Sequence, residues 1–248
     1  MTKKSHARRI HIGTSGWSYA HWKGPFYPED IADAAMLGYY AERLSTVEIN
    51  SSFYHLPQES ALSHWKATVP SGFLFSAKAS RYITHMKKLK DPDRSLRPLL
   101  DRIGLLGDRL GPLLFQLPPR WHCNPERLGA FLEALGSDRR CAFEIRDPSW
   151  EDPAIYDLLA RHGAALCIHD LDGRLSPREL TADFAYVRLH GPDGPYRGSY
   201  DRRALAGWAE TFHDWAGRGL EIFCYFDNDE AGYAALNALE LQQLAVSG

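Results

Sequence analysis

"FLFSAKASRYITHMKKLKDPDRSLRPLLDRIGLLGDRLGPLLFQL", residues 73–117, holds one full turn of the pattern that decides the fold. Phe73 to Lys78 is a short run rich in apolar and aromatic residues, which predicts a strand. Leu96, Leu99, Leu100, Ile103 and Leu106 then recur at helical spacing. Leu113 to Leu117 returns to a strand-type run, and Pro118 and Pro119 stop it. A strand, a helix and a second strand in this compass make one unit of a parallel α/β sheet.

Working outward, strand-type runs recur at Ile10 to Thr14, Thr46 to Asn50, Cys141 to Arg146, Ala164 to His169, Phe184 to His190 and Glu221 to Phe226. With the two above they make eight. Helical stretches lie between most of them, and Asp229 to Leu244, rich in alanine and leucine, reads as the last helix. Eight repeats in one 248-residue chain, with no linker and no composition shift, predict a single-domain (β/α)8 TIM barrel over residues 10–248. A chain of this length buries roughly three quarters of its unfolded surface. The exception is Asp170 to Asp183, short and rich in Gly, Pro and Asp, so the helix between strands six and seven is expected to be reduced to one turn or missing.

Lys plus Arg number 29 against 31 Asp plus Glu, for a formal net charge of -2. No global field attracts polyanions, so any nucleic-acid site would have to be a local patch. Cys123, Cys141, Cys167 and Cys224 form no CxxC pair, and three of them fall in strand runs. That pattern reads as buried free thiols in a reducing compartment. Residues 1–9, MTKKSHARR, are basic without the apolar core of a signal peptide, and no long apolar run follows. The expectation is a cytoplasmic protein with a disordered basic tail and no membrane partner.

In a parallel barrel, sites gather where strands end, because the βα loops are there. Here every strand end is polar. Strand one is followed by Thr14 and Ser15, strand two carries Glu48 and Asn50, and strand three ends in Ser76 and Lys78, with Arg81 and His85 beyond. Gln116 closes strand four, Glu144 and Arg146 strand five, His169 and Asp170 strand six, Arg188 and His190 strand seven, and Asp227 and Asn228 strand eight. Residues two apart share a strand face, so Glu48 with Asn50, or Arg188 with His190, point the same way. Gly13 and Gly16 are expected to turn the first loop across the mouth, with Trp17 and Tyr19 as ligand contacts and the later aromatics as packing. "HGPDGPYRGSY", residues 190–200, offers glycine N–H groups and Arg197 to an oxyanion.

The mixture of carboxylates with cations suits acid–base chemistry without a metal or other cofactor. Glu48, Lys78 and Glu144 are the candidates for proton transfer, with His190 as alternate. Thr14, Ser15, Asn50, Arg81, Gln116, Arg146, Arg188 and Asn228 would position a small anionic, polar or phosphorylated substrate, and Trp17, Tyr19, Phe53 and Tyr54 would wall it. Competing readings are a divalent-metal site drawn from Glu48, Glu144, His169, Asp170, His190 and Asp227, a nucleic-acid site using Arg81, His85, Lys87, Lys88 and Lys90, and a non-catalytic anion-binding protein. A glycosidase pair is disfavoured, because the ends of strands four and seven hold Gln116 and His190 rather than carboxylates.

"IGTSGWSYAHWKGPFYP", "TVEINSSFYHLP", "FSAKASRYITH", "GPLLFQLPP", "FEIRDPSW", "YVRLHG" and "YFDND" occur in order from about Ile10 to Leu244. Together they resemble the YecE-like proteins, a bacterial and archaeal family of unknown function. The resemblance implies a TIM barrel and no reaction. It departs at Asp147, where that family often has His, and at Asp227, where Asn is usual. At the level of fold alone, such a barrel is similar to endonuclease IV and xylose isomerase, whose metal sites use Glu, His and Asp at strand ends, which supports the metal alternative.

Overall fold

The computed structural model describes residues 9–247. The basic tail expected over residues 1–9 lies outside the described residues up to residue 8. Arg9 itself is held, its carbonyl accepting from Ile222 N at 2.7 Å.

Eight parallel strands make the barrel: β1 Ile10–Thr14, β2 Thr46–Ile49, β3 Leu74–Lys78, β4 Leu110–Gln116, β5 Cys141–Glu144, β6 Ala165–Leu171, β8 Phe184–Leu189 and β9 Glu221–Phe226. A two-residue strand, β7 (Arg174–Leu175), pairs antiparallel with β6. The sheet runs β1-β9-β8-β6-β5-β4-β3-β2, and its two ends meet where Ser15 bridges Glu48 and Gly16 N donates to Glu48 O at 2.8 Å. Gly13 makes that seam fit, because a Cβ there would stand 2.1 Å from the Thr46 carbonyl oxygen of β2. Its role is close approach of two strands rather than the turn expected for it. Gly16, at φ +91°, is the residue that turns.

The outer layer is α1 Met36–Ala41, α2 Glu59–Thr68, α3 Pro92–Ile103, α4 Pro125–Leu135, α5 Pro153–Arg161, α6 Arg202–Gly217 and α7 Tyr233–Ser247. The apolar spacing that predicted α3 buries Leu96, Leu99 and Ile103 against the barrel. Asn124, Asp152 and Asp201 cap α4, α5 and α6 through their side chains. The last helix starts at Tyr233 rather than Asp229, because Gly232 adopts φ +78° and Ala234 N reaches back to Asn228 O. Between β6 and β8 no helix occurs among the described residues. Asp172 (φ +55°) and Gly173 (φ +72°) instead turn the chain into the β6–β7 hairpin, the Asp-Gly turn chemistry that two-residue hairpins favour. Ser176 and Thr181 then fasten the segment by accepting from the backbone N–H groups of His169 and Leu166, each at 2.8 Å.

Inside the barrel, alternate residues stack in layers. Phe184 and Phe223 fill the end where the strands begin, with Leu74 packed against them. Leu114, Ala142, Cys167, Tyr186 and Tyr225 follow, with the Tyr225 hydroxyl bonded to Thr46 Oγ1 (2.8 Å) and Ser76 Oγ (2.7 Å). Above them, at the carboxyl ends, the interior turns polar. All four cysteines are free, three of them buried. Among the described residues no helix is long and apolar enough to cross a membrane.

Candidate functional site

Arg188 stands at the centre of the polar layer, fully buried on β8. One terminal nitrogen donates to Glu144 Oε2 (2.8 Å); the other donates to Glu48 Oε1 (2.8 Å), Asp227 Oδ2 (2.9 Å) and Ser15 Oγ (3.1 Å). Each glutamate accepts from three donors. Glu48 also accepts from the Ser15 hydroxyl at 2.5 Å and the Tyr186 hydroxyl at 2.6 Å, and Glu144 also accepts from Gln116 Nε2 at 2.8 Å and from Arg146 Nε. Burial opposes charge on Glu144 and Arg188, but the ion pairs win. Glu144, between Arg146 and Arg188, is held well below the usual carboxylate range, and Arg188 is held protonated by Glu48, Glu144 and Asp227.

His190 is fully buried beside this lattice. Its Nε2 lies 3.2 Å from Arg188 and 3.4 Å from Arg146, and guanidinium groups only donate. Nε2 is therefore the lone-pair nitrogen. The proton sits on Nδ1, 3.1 Å from Asp227 Oδ2, an ion-pair distance without the alignment of a hydrogen bond. Burial and Arg188 lower the His190 pKa, so the ring is neutral. His169, its centroid 6.3 Å away, is lowered to about 4 by burial and then by Arg146 and His190.

Lys78 is different. It lies at the end of β3, 7 % exposed, with its Nζ 4.5 Å above the Phe53 ring, and that nitrogen makes no hydrogen bond or ion pair among the described residues. Burial and then Arg188 lower its pKa, against the opposing pull of Glu144, Glu48 and Asp227. The ring face, which favours an ammonium by about 0.5–2 kcal/mol, offsets part of that. The carboxylates that would ordinarily neutralise Lys78 are already bonded to Arg188 and Arg146.

The other expected residues divide. Ser15, Gln116, Arg146 and Arg188 belong to the lattice. Asn50 stands at the mouth just past β2, its side chain half-buried, and Arg81 and Tyr54 are exposed at the rim. Tyr19 is half-buried beside the site, its hydroxyl donating to Ser15 O at 2.7 Å. Thr14 and Trp17 point the other way. Thr14 bonds the Tyr40 hydroxyl between barrel and helices, because residue 14 has the opposite strand parity from Ser15, and Trp17, beyond the strand, meets Trp65 edge-on at 4.9 Å. Asn228 is buried and ties Gly198 O to Asn237, which fixes the loop after β8 rather than facing the mouth. That loop's N–H groups are largely spent on itself, Gly191 N on the Tyr200 hydroxyl and Arg197 N on Gly194 O, which removes the oxyanion cradle expected there. Glu48, Glu144 and His190 lie in the site but present no reactive atom to solvent; of the four proton-transfer candidates, Lys78 alone does.

Two residues at the site, Tyr186 and Tyr196, were not singled out in the sequence. Tyr186 shares the inward face of β8 with Arg188 and His190, so the same two-residue rule locates it. Asp227, named at the end of strand eight and as a ligand in the metal alternative, instead accepts from Arg188. Tyr196, at φ +66°, lays its ring edge-on over His190 at 5.5 Å and had no signal beyond its place in a Gly-rich loop. A concavity of about 80 Å³ opens at the rim between Arg146, His169, Ser176 and Arg174, room for a small polyatomic group. A larger one of about 940 Å³ lies at the opposite end of the barrel, among the turns 136–140 and 160–163, away from every candidate residue; size alone does not make it the site.

Residues 11–247 match the family described as protein of unknown function DUF72. UPF0759 protein YunF of Bacillus subtilis (strain 168) is 26% identical over 275 residues, covering 96% of each chain. UPF0759 protein YecE of Escherichia coli (strain K12) is 28% identical over 144 residues, 57% of this chain and 50% of that protein. The crystal structure of a DUF72 family protein from Thermotoga maritima MSB8 superposes with a TM-score of 0.85 at 28% identity, over 95% of this chain and 98% of that one. A glycoside hydrolase family 5 enzyme from Prevotella bryantii B14, at 11% identity and TM-score 0.52, shares the barrel alone. With nearly its whole length matched, the chain belongs to the DUF72 family.

Proposed function

We propose that this barrel is an acid–base enzyme, working without a metal, whose substrate is a small anionic compound held at the carboxyl-terminal mouth with Lys78 as its reactive amine. One observation carries the reading: among the proton-transfer candidates Lys78 alone is both unpaired at its reactive atom and not fully buried, while Glu48, Glu144 and Asp227 are committed to Arg188 and His190 is sealed in. A metal at those carboxylates would have to displace a buried guanidinium. Lys78, Arg81 and Arg146 all lie close enough to depress the His85 pKa after burial, so the sector above β3 and β5 is cationic and suits an oxyanion. Arg146 would hold that anion, and Asn50 would orient it.

The test is thermal stabilisation of the protein by inorganic phosphate and by a set of small phosphorylated and carboxylated compounds. Lys78→Met and Arg146→Gln should each weaken the response at least about tenfold in apparent Kd. An oxyanion response identical in both variants would overturn the assignment of the site, and a bound compound that is never turned over would favour the non-catalytic binding protein. A second reading rests on Tyr54 (62 % exposed) and Tyr82 (45 % exposed), which flank the mouth beside Arg81, Lys88 and Lys90. Salt-dependent retention of single-stranded DNA or RNA would shift the proposal to a nucleic acid.

A further inference from the structure

We propose that Lys78 captures the carbonyl group of a small anionic aldehyde or ketone as a covalent imine. This rests on the reading above and names its substrate class and its first chemical step.

A lysine acts as a nucleophile only when it is neutral, and proteins keep it neutral by desolvation and by neighbouring cations. Both are present. The aliphatic stem is buried at the end of β3, the Phe53 ring lies under Nζ, and Arg188 and Arg146 occupy the carboxylates below. Ser52 Oγ donates to the Lys78 carbonyl oxygen at 2.6 Å and to Ile49 O at 2.8 Å, which fixes the backbone from which the amine projects. Nζ is nevertheless not sealed in: it is absent from the buried, unpartnered side-chain atoms, which include Nε of Arg188. An amine with no partner, open on one side and cationic on the other, is suited to attack a carbonyl carbon beside an anionic group.

In the step, the Nζ lone pair forms the C–N bond as the carbonyl π bond opens. One amine proton passes to the oxygen, giving a carbinolamine. With one further proton from solvent that oxygen leaves as water, and a protonated imine remains. No oxidant or reductant is consumed.

The experiment treats the full chain near neutral pH with limiting glyoxylate, an aldehyde carrying a carboxylate, and sodium cyanoborohydride, then maps carboxymethylated lysines by mass spectrometry. Lys78 should be labelled roughly tenfold or more ahead of every other lysine. Lys78→Met, checked for native circular dichroism, should lose that early label. Arg146→Gln should slow capture of glyoxylate but not of uncharged propionaldehyde; equal slowing, or none, overturns the requirement for an anion. Labelling of Lys78 no faster than the exposed lysines overturns the imine. If glyoxylate stabilises the protein in a Lys78- and Arg146-dependent way yet no label forms, the imine fails and the anion-binding site stands. If neither binding nor label appears, both fail.

Discussion

Arg188 sets the character of the site. A fully buried guanidinium meeting three carboxylates is stable only while all partners are present, since removing one member leaves uncompensated charge in a low-dielectric interior. Arg188→Met is therefore expected to lose about 3–5 kcal/mol or to fail to fold, and Tyr186→Phe, which removes one donor to Glu48, about 1–3 kcal/mol. Urea unfolding of both variants checks this; parental stability in Arg188→Met would mean the lattice is dispensable. The residue types were legible in the sequence, and strand parity put Glu48, Lys78, Glu144, Arg188 and His190 on inward faces. Their division of labour was not. Glu48 and Glu144 read as free bases because sequence does not show that Arg188, 140 and 44 positions away, occupies their oxygens. Thr14 was misjudged by strand parity, and Asp227, weighed only as a metal ligand, is a partner of Arg188.

At the scale of elements, the barrel seam depends on Gly13 and the helices tolerate more. Gly13→Ala would push a methyl group into the Thr46 carbonyl and should lower stability by several kcal/mol, since backbone cannot step aside as a side chain can. Gly207, inside α6, has open space where a Cβ would go, so Gly207→Ala should stabilise by about 1 kcal/mol, or roughly 2–4 °C in Tm. Differential scanning calorimetry of the pair decides both, and similar shifts in the two would sink the account of the seam. All eight barrel strands were readable from their runs, and so was the absence of a helix after β6. What replaced it was not: the Asp172-Gly173 turn that makes β7 is a two-residue signal inside a stretch taken whole as irregular.

At the scale of the molecule, the buried titratable groups set the pH response. His169 and His190 have folded-state pKa values below the ordinary 6.5, His169 at about 4, so their contribution is complete above that ordinary value and is lost as pH falls. Glu144 and Asp227, lowered by the guanidinium against the cost of burial, add a second loss below the carboxylate range. Lys78 acts in the opposite window: its lowered pKa costs stability while the amine is protonated, and that cost fades as pH rises toward its ordinary 10.5. Tm should therefore begin to fall below about pH 6.5 and reach its maximum on the alkaline side of neutrality. Lys78→Met should remove the alkaline rise and leave the acid limb intact. A maximum on the acid side would show that these groups do not govern stability.

The span between Glu48 and Arg188 also bears on how the chain is made. At about 5–20 residues per second, the 140 residues between them take roughly 7–30 s to synthesise. Through that interval β1 and β2 are outside the ribosome while the cation that neutralises them is not. The N-terminal half has no closed state to fall into, so the barrel closes only when its last quarter, which carries Arg188 and β9, arrives.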